Sequence, residues 1–242
     1  MADGAHIAIN IRRKTFGNSE KPLFSDLQLE AEPSQIVGLI GPSGVGKSTL
    51  LRLISGIDTE FEGSIEIDTL SPSSAPIPGY VFQDPRLLPW LSAEANIRIV
   101  GQNVSAADAT RLLKEVGLAG SEAALPHELS GGMQRRVALA RALALSPKVL
   151  LLDEPFVSLD RKLARDLHKV FLAVINSYSP TVFLVSHDFE DVAQLADKIV
   201  FLSGQPARIL AEYDLPGIAG QRQASELAEI SEALSEAEER SE

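Results

Sequence analysis

The segment Gly41-Pro-Ser-Gly-Val-Gly-Lys-Ser-Thr49 constrains this 242-residue chain more than any other. Gly41-x-x-x-x-Gly46-Lys47-Ser48 matches the phosphate-binding-loop pattern at every fixed position. Its glycines let the backbone curl so that successive N–H groups face phosphate oxygens. A helix beginning near Lys47 adds the positive end of its dipole. Lys47 supplies a full charge to the β and γ phosphates, and the Ser48 hydroxyl suits Mg2+. Gly41, Pro42, Ser43, Gly44, Val45, Gly46, Lys47, Ser48 and Thr49 are therefore expected to cradle a nucleotide. The loop also dictates its neighbours. Ile36–Ile40 before it is a continuous apolar run, the pattern of a buried strand. Lys47–Ser55 after it reads as a helix.

A phosphate loop alone serves kinases, GTPases and ATPases alike. A second element narrows the choice. Val149-Leu-Leu-Leu-Asp153-Glu154-Pro155 is an apolar strand ending in two carboxylates. Asp153 is placed to hold the Mg2+ coordination shell. Glu154 is placed to orient or deprotonate an attacking water.

Strand-like and helix-like runs alternate along the rest of the chain. Ile7–Ile11 and Leu27–Ala31 alternate apolar and polar residues, as strands of a half-exposed antiparallel sheet do. Ser64–Asp68 and Tyr80–Phe82 are short strand candidates, and Thr181–Ser186 is another buried run. Ala93–Val100, Ala106–Val116 and Gly132–Leu145 have helical spacing, so 85–146 reads as a helix-rich block between two strands. Arg161–Ser177 and Phe189–Leu195 read as helices. Lys198–Leu202 and Ala207–Ala211 suggest a closing hairpin. Strands separated by helices imply a largely parallel sheet, hence an α/β fold. One domain is expected over 1–220, followed by an acidic helical or disordered tail over 221–242. That tail carries seven Glu against two Arg, about half of the net charge of −11.

Composition excludes several classes. The absence of cysteine rules out disulfides and thiolate metal sites. No run approaches the roughly 20 apolar residues that span a bilayer. Met1-Ala-Asp-Gly-Ala-His lacks the order of a signal peptide. A cytosolic protein is expected, with any membrane role exercised through a partner. No basic cluster suggests nucleic acid.

With Leu129-Ser130-Gly131-Gly132-Met133-Gln134-Arg135 added, the chain resembles the ATP-binding-cassette (ABC) family, over about Ile7 to Tyr213. The segment is close to that family's Leu-Ser-Gly-Gly-Gln signature, with Met133 departing at the fifth position. The resemblance implies a P-loop NTPase with a RecA-like parallel-sheet core, an antiparallel β subdomain and an inserted helical subdomain. It implies ATP and Mg2+ as cofactors. Ser130 would cap a helix whose free N–H groups, with Gly131 and Gly132, meet the γ-phosphate held by an opposite subunit. Two chains would thus sandwich ATP head to tail as a homodimer. Phe16 lies where the family stacks an aromatic on adenine. Gln83 matches the loop glutamine that contacts Mg2+ and links to the membrane partner. Asp160 matches an acid that reaches across the dimer, and His187 the switch histidine that meets the γ-phosphate and attacking water. His6, His127 and His168 have no motif context and are expected at the surface.

Gln83-Asp-Pro-Arg-Leu-Leu-Pro-Trp90 resembles the nitrate/sulfonate/taurine importer branch. Leu87, Leu88 and Trp90 would help form a groove for a permease helix; the alternative is that Trp90 packs inside the helical block. The implied protein is an ATPase powering import of a small solute from the cytoplasmic face of the membrane. It would work with permease subunits and, indirectly, a periplasmic or extracellular solute-binding protein. Exporter and lipid-trafficking cassettes share the catalytic motifs. So do non-transport ABC ATPases of DNA repair or translation, against which the acidic charge argues.

Overall fold

The computed structural model describes residues 4–17, 21–157, 161–220, 222, 226, 228, 229 and 232. The alternating segments pair as expected. β1 (Ile7–Lys14) lies between β2 (Phe24–Ala31) and β4 (Glu62–Ile67) in an antiparallel sheet of order β2-β1-β4. β1 ends later, and β2 starts earlier, than their alternation suggested. β1 runs on through Lys14, which is buried because Nζ donates to Asp58 Oδ1 at 2.7 Å and to Glu60 O at 2.8 Å. β2 begins at the buried Phe24, and the alternation is interrupted where Asp26 takes a φ of 52°.

The second sheet has the order β5-β6-β7-β3-β8-β9. Its members are β3 (Ile36–Ile40), β5 (Gly79–Val81), β6 (Val149–Asp153), β7 (Thr181–Val185), β8 (Lys198–Ser203) and β9 (Arg208–Asp214). All adjoining pairs are parallel except β8–β9, the expected closing hairpin. Strands β3, β6 and β7 are buried at every residue, as a sheet covered on both faces requires.

Side-chain parity divides the core. Val37, Leu39, Val149, Leu151, Phe183 and Val185 face the antiparallel sheet and α1 (Lys47–Ile54). Ile36, Ile40, Leu150, Leu152, Val182 and Leu184 face the other helices. These are α2 (Ala93–Arg98), α3 (Ala106–Glu115), α4 (Gly131–Leu143), α5 (Arg161–Tyr178) and α6 (Phe189–Leu195). Helix α6 lies against β3 because Gly38 leaves room: a Cβ there would meet Val192 Cγ1 at 2.0 Å. Helices α2, α3 and α4 fill the chain between β5 and β6. They are capped by Ser92, Ser105 and Ser130, each accepting a backbone N–H.

One expectation fails here. His168 is buried, not at the surface. It shares a helical stripe with Phe171 and Ile175, and its ring meets Phe156 edge-on at 4.3 Å. Nε2 lies 3.0 Å from Asp191 Oδ1 on α6. Of the tail, Arg222 is buried and donates to Pro216 O and Ala193 O, both at 2.8 Å.

The topology positions chemistry at one sheet edge. In the order β5-β6-β7-β3, the carboxyl ends release four neighbouring loops: Phe82-Gln83, Glu154, Ser186-His187 and Gly41–Gly46. Ligands of open α/β sheets bind at this edge.

Candidate active site

The loop after β3 follows the glycine logic closely. Gly41 has φ 142°, and a Cβ there would sit 2.1 Å from Leu202 O. Gly46, at φ 112°, is the residue before α1 and supplies no side-chain cap. The first N–H groups of α1 thus face the loop without a capping side chain. Lys47 is buried. Its Nζ donates to Gly41 O at 2.7 Å and Pro42 O at 3.0 Å, spanning the loop from inside. Burial lowers its pKa, while the nearby Glu154 and Asp153 charges push the other way.

The acidic pair lies beside it. Ser48 Oγ donates to Asp153 Oδ1 at 2.7 Å, and the Tyr80 hydroxyl reaches Asp153 Oδ2 at 3.3 Å. Burial, with the Asp153 charge, pushes the Tyr80 phenol up, so it stays a donor. Glu154 takes a φ of 54°, and its N–H donates to Val185 O at 3.0 Å. A left-handed non-glycine residue costs about 1–3 kcal/mol and persists only where the surroundings enforce it. Here the bend turns Glu154 toward the end of β7. His187 Nδ1 lies 2.5 Å from Glu154 Oε2. That contact raises the His187 pKa, against a smaller opposing effect of burial.

Ser48, Gln83 and Asp153 line one cavity of about 420 Å³, together with Arg52, Arg86 and Arg135. Phe16, 50% exposed, lines a second one of about 240 Å³ with Gly44 and Val45. The Lys14 ammonium lies 4.7 Å from the Phe16 ring centre. Ser130 caps α4 by accepting from Met133 N at 3.3 Å; it and Gly131 are exposed and line neither cavity. Asp160 lies outside the described residues.

The order of these features along the chain matches a known pattern. Residues 24–157 match the ABC transporter family. The chain belongs to that family. The aliphatic sulfonates import ATP-binding protein SsuB 1 of Pseudomonas aeruginosa (strain UCBPP-PA14) is 40% identical, covering 93% of each chain. SsuB of Bacillus subtilis (strain 168) is 40% identical, covering 84% of this chain and 82% of its own. Among solved structures, dimeric MJ0796, a bacterial ABC transporter cassette, has a TM-score of 0.75 at 28% identity. The match covers 88% of this chain and 100% of that one. A post-hydrolysis MJ0796 dimer bound to ADP and Pi has a TM-score of 0.73 at 27% identity, with the same coverage. This chain is an ABC ATPase with the cassette's mixed and antiparallel sheets. No helix among its described residues is long and apolar enough to cross a membrane.

The loop after β5 is held by side chains of two helices. Trp90 is 71% exposed, which overturns the alternative that it packs within the helical block. Leu87, by contrast, packs on the helical core. Two residues that the sequence reading passed over hold this loop. Asn96, fully buried on α2, accepts from Leu88 N at 2.8 Å. Its amide donates to Leu88 O, Leu91 O and Ser92 O at 2.9–3.1 Å. Arg141 on α4 donates to Arg86 O at 2.8 Å and Pro85 O at 2.7 Å. A buried Asn in an amphipathic helix is a sequence signal for such a clamp, since its amide must find partners.

Proposed function

We propose that this chain is the ATP-hydrolysing subunit of an importer for a small solute of the aliphatic sulfonate type. One observation carries the reading: Lys47, Ser48, Asp153, Glu154 and His187 meet at adjoining strand ends, beside a glycine loop built for phosphate. The relatives' names, as sulfonate import proteins, support the solute class and direction.

Each residue has a role. Backbone N–H groups of Gly41–Thr49 bind the phosphates, and Lys47 meets their charge. Phe16, across the cavity from Gly44 and Val45, stacks on the adenine. Glu154 orients and deprotonates the attacking water, and His187 holds Glu154 and donates toward the γ-phosphate. The residues suit Mg2+: Ser48, Asp153 and Gln83 offer hard oxygens, and no group of three or more His, Cys, Asp or Glu among the described residues forms an all-protein cage. Mg2+ favours such a site, with few protein ligands and phosphates completing its shell. When bound it would neutralise charge on the β and γ phosphates.

The exposed Ser130-Gly131 at the start of α4 fits a γ-phosphate presented by a second copy, which the dimeric cassettes among the solved structures support. Two copies would close on ATP and separate after hydrolysis, because the γ-phosphate contacts from both chains then vanish. From the cytoplasmic face, the loop 84–90 would carry that motion to integral membrane permease subunits. The test is reconstitution with the permease subunits that co-purify with this chain. Replacing Leu88 and Trp90 together by Asp should abolish solute-stimulated hydrolysis and leave basal hydrolysis in place. Full stimulation of that double variant would refute the docking role; absence of any Mg2+-dependent hydrolysis by the parent chain would refute the enzyme.

A further inference from the structure

The geometry points to Tyr80 as a positioning residue that fixes the plane of the Asp153 carboxylate, itself held in place by a stack of Phe82 and Arg86. The inference rests on reading Asp153 as a Mg2+ ligand.

The register creates the contact. Tyr80 on β5 pairs with Leu151 on β6, and residues 151 and 153 point to the same face. A long side chain at position 80 therefore rises beside Asp153, whereas its neighbours Gly79 and Val81 cannot. Rotation of an Asp carboxylate about its terminal torsion is soft, with broad two-fold preferences. Ser48 Oγ holds Oδ1 at 2.7 Å. One bond leaves the carboxylate free to pivot about that oxygen. The Tyr80 hydroxyl, at 3.3 Å from Oδ2, restrains the second oxygen.

A phenol can do this only if its ring is kept from swinging. Phe82, two residues on and on the same face, stacks on Tyr80 with ring centres 4.1 Å apart and planes 18° off parallel. The Arg86 guanidinium lies 4.1 Å from the Phe82 ring centre. Arg86 has a φ of 47°, and its carbonyl is held by Arg141. The stack therefore extends from the carboxylate to the start of the loop that carries Leu87–Trp90. Nothing in the P-loop pattern or the acidic pair requires an aromatic at position 80.

The test compares the Kd of a fluorescent ATP analogue in saturating Mg2+ with its Kd in EDTA, for the full chain. The ratio reports the metal-dependent gain in affinity without turnover. Tyr80→Phe keeps the ring and removes the hydroxyl. Outer-shell partners of a metal ligand typically change metal affinity by about 10–100-fold, and this longer bond belongs at the lower end. The ratio should fall about ten-fold, with the EDTA value unchanged. Phe82→Leu, which keeps the hydroxyl but loosens the ring, should give a smaller fall. An unchanged ratio in Tyr80→Phe, or equal weakening with and without Mg2+, would overturn the proposal. An unchanged ratio in Phe82→Leu would remove the stack from it. Ser48→Ala separates the two levels: if it too leaves the ratio unchanged, the metal-site reading itself fails.

Discussion

Replacing Asn96 by Ala should loosen the loop that carries Trp90 and cost about 3 kcal/mol. Asn96 makes four hydrogen bonds, to Leu88 N, Leu88 O, Leu91 O and Ser92 O, from a fully buried position. A net hydrogen bond contributes about 1 kcal/mol, and a buried group left unpaired costs about 1–3 kcal/mol. The amide has only two N–H hydrogens to share among three carbonyls, so the four contacts amount to about three full bonds, roughly 3 kcal/mol. The three carbonyls lie on half-buried residues where water can replace their lost partner, so little is added for stranded groups. Asn96→Asp should be at least as harmful, since a carboxyl oxygen would then face three carbonyls. The assay is built in. Trp90 is the only tryptophan and sits on the restrained loop. Urea unfolding followed by its fluorescence gives the stability change, and its anisotropy in native buffer gives the loop's freedom. A loss below about 1 kcal/mol with unaltered anisotropy would refute the clamp.

Two further predictions concern the candidate active site. The His187 pKa is raised from 6.5 chiefly by its bond to Glu154, so its NMR titration midpoint should lie above 6.5 and return toward it in Glu154→Gln. The sign follows: the pairing stabilises the folded state fully below pH 6.5 and is lost as pH rises through the raised value. A midpoint at or below 6.5 in the parent would contradict the pair. Gly41→Ala would place a Cβ 2.1 Å from the backbone of Leu202 at a φ of 142°, so a loop shift and a loss of about 2–3 kcal/mol are expected. Thermal unfolding and nucleotide titration check this; parent-like ATP affinity would count against the loop geometry.

The fold and the site were legible to different depths. Apolar runs and their terminal motifs mark β3, β6 and β7 because strands buried on both faces carry polar residues only at their ends, here Asp153 and Thr181. The ends of β1 and β2 were obscured by chemistry the pattern penalises: a buried Lys14 satisfied by Asp58, and a left-handed Asp26. His168 read as a surface residue because no motif surrounds it, although it follows the spacing of Phe171 and Ile175. Motif residues at the ends of strands and helices, such as Gly41, Lys47, Asp153 and His187, could be read locally as candidates. Tyr80 and Arg141 could not, because their partners lie on distant strands and loops, whereas Asn96 bonds the residues just before its helix and its polar side chain in that helix was a local signal. Tyr80 gains its importance only from the β5–β6 register.

The most direct measurement is on Glu154→Gln with Mg2+ and ATP, following hydrolysis and molar mass together. The Glu154–His187 pair and the exposed start of α4 lead to one result: hydrolysis falls by about 10²-fold or more while ATP still binds and the chain accumulates as a dimer. Hydrolysis at the parent rate, or a monomer at saturating ATP, would contradict the account.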